Sequence, residues 1–123
     1  MWRLLPLLVL GGCSLLDPWT YDGYQRELAG RLDEIDEAVG AARAETAEAC
    51  RAVAFGHKAC GGPTHYRIYS ETDGDPERVR RLADAFTGWE RRMVDRLNLG
   101  STCDVLYVPP VTLEDGRCTV ADP

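Results

Sequence analysis

The 123-residue chain lacks an excess of positive charge: its 14 Lys and Arg are outnumbered by 20 Asp and Glu, for a net charge of -6. Without a positive field to hold a phosphate backbone, nucleic-acid binding is excluded as its role. It also lacks an apolar run long enough to cross a bilayer as a helix. The longest, Leu4-Leu5-Pro6-Leu7-Leu8-Val9-Leu10, has the length of a signal-peptide core and stops far short of the roughly 20 residues a span needs. Lysine occurs once, at Lys58, and histidine twice, at His57 and His65. Two histidines with no fixed carboxylate or nucleophile beside them make no catalytic constellation, so the sequence predicts a protein that is not an enzyme. No metal site and no dissociable cofactor are expected either.

Cysteine, by contrast, is abundant. Five in a chain of this length point away from the cytoplasm, and their placement, one at Cys13 and then Cys50, Cys60, Cys103 and Cys118, sets one apart from four that form two disulfides. Four cysteines allow three pairings. The local one, Cys50 with Cys60 and Cys103 with Cys118, is favoured here: the first bridge pins the central loop back onto the helix, worth about 3 kcal/mol in the chain-entropy account, and the second staples the C-terminal two-stranded piece.

The apolar run is preceded by Arg3 and ends in Leu10-Gly11-Gly12-Cys13. This resembles the lipobox of bacterial lipoproteins: a branched apolar residue, two small residues that let the chain enter a peptidase in extended form, and the thiol that takes a diacylglycerol as a thioether. The resemblance implies that residues 1–12 are a signal peptide that is removed. Residues 13–18 then become a tether carrying diacylglycerol and an N-acyl chain on Cys13, and residues 19–123 form a single domain. At roughly 0.8 kcal/mol per buried methylene, two or three acyl chains anchor a protein permanently. Ser14 stands where an aspartate would retain such a protein in the inner membrane, so the resemblance implies a bacterial cell envelope and its outer membrane.

Past the tether, Tyr21, Tyr24, Leu28, Leu32, Ile35, Val39, Ala42, Thr46, Ala49 and Val53 follow at steps of three and four, which predicts one long helix over that range. From Leu28 onward the steps alternate strictly, a period of about 3.5 suited to a narrow helix seam. Charges such as Asp33, Glu34, Asp36 and Glu37 fill the far side as a solvated face. Asp75-Pro76-Glu77 reads as the start of a second helix, with a capping carboxylate, proline at the first helical position and an acid in the first turn. Val79, Leu82, Phe86, Trp89, Met93 and Leu97 give its apolar stripe, and Asp84, Glu90 and Asp95 are read with its arginines as outward charge. Asp104 to Val108 reads as a strand, turned at Glu114-Asp115-Gly116 toward Arg117-Cys118-Thr119-Val120. The expected fold class is therefore mainly α: an antiparallel pair of long helices with a disulfide-pinned loop and a small C-terminal β-hairpin.

Between the helices, Cys50, Phe55-Gly56, Lys58, Cys60-Gly61-Gly62-Pro63, Tyr66 and Tyr69-Ser70, with the later Thr102-Cys103-Asp104 and Gly116-Arg117-Cys118, resemble a pattern in an uncharacterised family of small exported bacterial proteins. The resemblance spans Cys50 to Val120. It departs at Ala59, where proline is expected, and in a second helix without the pattern's asparagines. It implies an architecture and no activity. The candidate partner-binding residues are His57, Lys58, Gly61, Gly62, Pro63, His65, Tyr66 and Tyr69, displayed by a loop whose disulfide lowers the entropy lost on binding. The expected function is a lipid-anchored protein-binding or accessory module with an envelope partner. The alternative is a structural protein that forms homo-oligomers through the helix seam, and behind it stands an enzyme or metal-binding protein using His57 and His65.

Overall fold

The computed structural model describes residues 19–122. The leader, Cys13 and the tether expected at residues 13–18 lie outside the described residues.

Helix α1 spans Tyr21–Val39. Thr20 caps it, its side-chain oxygen accepting from the Gly23 N–H at 3.0 Å and satisfying one of the first-turn donors. The helix stops at Gly40, which adopts φ 62°. The segment ahead of the second helix closes over this end. The Asp75 N–H donates to the Ala38 carbonyl at 2.9 Å, and Gly74 packs so closely that a Cβ there would lie 2.6 Å from the carbonyl oxygens of Ala38 and Val39. Helix α2 spans Pro76–Leu97, capped by the Asp75 carboxylate on the Arg78 N–H at 3.1 Å and closed by Asn98 in the left-handed conformation. The two helices pack antiparallel, with Tyr24 stacked on Trp89 at 5.4 Å. Ile35, Val79, Ala83, Phe86 and Met93 are buried with them.

The mainly-α expectation is overturned by what lies between and after the helices. Strand β1, Cys50–Phe55, pairs antiparallel with β2, His65–Ser70, setting Cys50 opposite Ser70 and Phe55 opposite His65. Strand β3, Val111–Glu114, pairs with β4, Arg117–Val120. Two helices and two small antiparallel sheets make an α+β architecture. The stretch expected to continue the first helix to Val53 instead turns at Gly40 and Ala42, passes through a 3₁₀ turn at Ala47–Ala49, and becomes β1. The hairpin exists, but its first strand is Val111–Glu114; Asp104 to Val108 is irregular.

Strand alternation decides how the layers stack. Cys50 and Phe55 are five residues apart in β1, so they point to opposite faces. Phe55 meets Phe86 of α2 edge-on at 5.0 Å, while Cys50 is bonded to Cys118 of β4. The β1–β2 hairpin is thus held between the helix pair and the β3–β4 hairpin.

The disulfides are Cys50–Cys118 and Cys60–Cys103. The favoured local pairing is corrected on both counts. Once β1 and β2 pair, Cys50 lies at the end of the hairpin away from Cys60, facing β4, and Cys118 is turned toward it. The bridges span 68 and 43 residues rather than local loops. Cys50–Cys118 is buried, and Cys60–Cys103 is exposed.

Candidate functional site

At the end of the β1–β2 hairpin nearest the last turns of α2, one buried carboxylate gathers four segments. Glu90 is only 1% exposed. Its Oε1 accepts from the His57 backbone N–H at 2.8 Å and from the Thr64 hydroxyl at 2.5 Å, while its Oε2 accepts from the Tyr24 hydroxyl at 2.9 Å. One turn earlier, Thr87 accepts from the Gly56 N–H at 2.9 Å and donates to the Ala83 carbonyl. Gly56, at φ 93°, is where this approach requires glycine: a Cβ would fall 1.8 Å from the Thr64 hydroxyl and 2.7 Å from Glu90 Oε1. Burial, reinforced by the Glu90 carboxylate, holds the Tyr24 phenol protonated well above its ordinary range.

His65 extends this chain of bonds. Because Thr64 donates to Glu90, its oxygen accepts from His65 Nδ1, 2.8 Å away. The imidazole stacks on Phe55 at 5.8 Å and meets Phe86 edge-on at 5.5 Å. Burial lowers its pKa below 6.5; nearby Glu90 pulls the other way and Arg67 adds to the lowering. The folded protein therefore binds this proton less readily than the unfolded chain. His65's contribution to stability is complete above about pH 6.5 and is lost as pH falls through the lowered folded value. Urea unfolding of wild type and His65→Gln across this range should show a steeper acid-side loss of stability in wild type; parallel curves would contradict it.

The predicted binding residues do not form one surface. His57, Lys58, Gly61, Gly62 and Pro63 come together: the Lys58 N–H donates to the Gly62 carbonyl at 3.0 Å, the Gly61 N–H donates to the Lys58 carbonyl at 2.9 Å, and Gly61 and Gly62 are exposed at positive φ. Cys60 joins this turn to Cys103, and Lys58 Nζ bonds to the Asp104 carbonyl. His65 and Tyr66 are half-buried at the start of β2. Tyr69 is separate, buried near the other end of the strand with the Arg80 guanidinium 6.0 Å from its ring centroid.

Sequence reasoning missed Glu90, Thr64 and Tyr24 as a unit, and it missed the surface beside the turn. Glu90 sits four residues after Phe86 and three before Met93, inside the apolar stripe of α2, a spacing that marks a core position. The missed surface is the segment after Cys103: Val105 is 93% exposed and Tyr107 75% exposed, while Leu106 turns inward. Leu106 lines two adjoining hollows. One, of about 210 Å³, lies against Lys58 and the Cys60–Pro63 turn, and the other, of about 450 Å³, against Thr64 to Ile68. A larger depression of about 510 Å³ lies at the other end of the domain, between Arg43, Glu45, Thr46 and Asp73.

Chemically, Glu90 gives three of its roughly four acceptor positions to the fold, and hydroxyls near it are also engaged. Ser101 Oγ accepts from the Cys103 N–H at 3.1 Å, and Thr102 donates to Asp104 at 2.8 Å. Among the described residues, no three of His, Cys, Asp and Glu are grouped so as to hold a metal ion, and no helix is long and apolar enough to cross a membrane. No family model, no curated protein and no solved structure matches this chain.

Proposed function

We propose that this is a non-enzymatic, lipid-anchored protein of a bacterial cell envelope that binds an envelope protein through the surface around the Cys60–Cys103 bridge. The observation that carries the binding role is the exposure of Val105 and Tyr107 on a segment fastened at Cys103 and Asp104. Large apolar and aromatic side chains on a pre-ordered segment supply contact area with little entropy left to lose. The adjoining hollows, sharing Leu106 as a wall, offer places for a partner's side chains.

The anchor is supported by the lipobox Leu10-Gly11-Gly12-Cys13 and by two disulfides in the domain that follows. Against catalysis stands the structural use of Glu90, a carboxylate 1% exposed whose three hydrogen bonds hold Tyr24, His57 and Thr64 together. The stripe on which a homo-oligomeric role would rest is taken up within the chain by α1 packing on α2.

Two results would follow. Cys13→Ala should abolish acyl labelling and release the protein from membranes; full labelling and membrane recovery of that variant would defeat the anchor. A photo-crosslinker at Tyr107 should capture one envelope protein reproducibly, whereas the same group at Asp115, in the exposed β3–β4 turn, should not; equal capture from both positions would defeat the binding surface.

A further inference from the structure

Two of the exposed large apolar residues lie at the end of the domain nearest Cys13 in sequence. Trp19 is 46% exposed and Tyr21 61% exposed. Antiparallel packing brings the last turns of α2 beside them, and the Arg96 guanidinium lies 4.3 Å from the Trp19 ring centroid. Those last turns hold Arg91, Arg92 and Arg96, all exposed, against Asp95, and the exposed Asp22 beside Tyr21 adds a second acid at this end of a chain that is otherwise net acidic. Six residue steps separate Cys13 from Trp19, which at full extension reach about 22 Å. With Cys13 acylated at the boundary of the hydrocarbon, Trp19 is confined to that distance from it, within easy reach of the headgroups.

We infer that this end of the domain rests on the bilayer, with the Trp19 and Tyr21 rings at headgroup level and Arg92 and Arg96 on the phosphates of anionic lipids. The inference rests on the lipid anchor of the proposed function and adds the orientation of the domain. Amphipathic rings favour the membrane–water interface, and basic residues close to an anionic leaflet are attracted to it. Asp73-Gly74, at the opposite ends of both helices, then faces away from the membrane. The Asp115-Gly116 turn does too, because the Gly116 carbonyl accepts from the Ala44 N–H just past α1.

The test uses the mature lipidated chain in vesicles of phosphatidylcholine and phosphatidylglycerol, with and without bromine on the acyl chains near the headgroup. Its tryptophans are Trp19 and the buried Trp89, since Trp2 leaves with the leader. Bromine should quench the Trp19 emission about twofold. Trp19→Phe should abolish the quenchable part, and Arg92→Glu with Arg96→Glu should reduce it. An acylated, vesicle-bound chain with no bromine-dependent quenching would overturn the inference and leave the anchor standing. Trp19 shielded by a second copy, seen as a dimer crosslinked through this end, would also overturn it. An unmodified Cys13 in a chain that stays in the aqueous fraction would instead remove the anchor and the inference together.

Discussion

Glu90→Ala should lower the unfolding free energy by about 4 kcal/mol in urea titrations, a large part of the roughly 5–15 kcal/mol a domain of this kind possesses. The substitution removes the acceptor for three donors from distant parts of the chain: the Tyr24 hydroxyl, the His57 N–H and the Thr64 hydroxyl. Each is then left in or near the core without its partner, and hydrogen bonds to a charged acceptor are the stronger class. Glu90→Gln should cost less, about 1–2 kcal/mol, because its amide oxygen still accepts at Oε1 and the Tyr24 hydroxyl can reverse to accept from the amide nitrogen. If Glu90→Ala unfolds within about 1 kcal/mol of wild type, the carboxylate does not tie the hairpin to the helices.

The double variant Cys50→Ala, Cys118→Ala should be destabilised by a similar amount, about 4 kcal/mol. This bridge joins β1 to β4 across 68 residues, so its loss frees a long loop in the unfolded chain and unfastens the β3–β4 hairpin from the layer beneath it. Backbone bonds hold that hairpin to the segment after α1, the Cys118 N–H to the Ala42 carbonyl at 2.8 Å and the Ala44 N–H to the Gly116 carbonyl at 3.0 Å. A two-stranded piece with so few bonds needs the covalent link. Mass mapping under non-reducing conditions should first show Cys50–Cys118 and Cys60–Cys103 peptides; unfolding midpoints of wild type and the double variant then give the difference. Equal midpoints would show that the bridge adds nothing.

Particular residues show what could be read ahead of the structure. α2 was legible because Asp75, Pro76 and the stripe through Val79, Phe86, Trp89 and Met93 agree locally and globally. α1 was legible as far as Val39. Beyond it, Ala42, Thr46, Ala49 and Val53 continue a helical spacing, but small residues suit several backbones, and the approach of Gly74 to the helix end is a long-range event that local spacing does not carry. In β1 the residues pointing at the helix side are Arg51, Val53 and Phe55, an alternation hidden among alanines. Gly56 follows β1 directly and leaves room for Thr64 and Glu90. Asp104 to Val108 has strand-forming residues and no strand partner, and so Val105 and Tyr107 are left exposed while Leu106 turns inward. The same long-range pairing explains the disulfides, because only a folded β1–β2 hairpin reveals which cysteine faces which layer.

The central claim, that a disulfide-braced apolar segment binds an envelope partner, is tested most directly by the yield of the Tyr107 photo-adduct in native envelopes, comparing wild type with Cys60→Ser, Cys103→Ser. That variant keeps the buried core and the Cys50–Cys118 bridge, so it should retain its fold while the segment after Cys103 loses its fastening. Greater loss of segment entropy on binding should cut the adduct yield about tenfold, equivalent to about 1.4 kcal/mol. A folded variant that captures the same partner at wild-type yield would contradict the account.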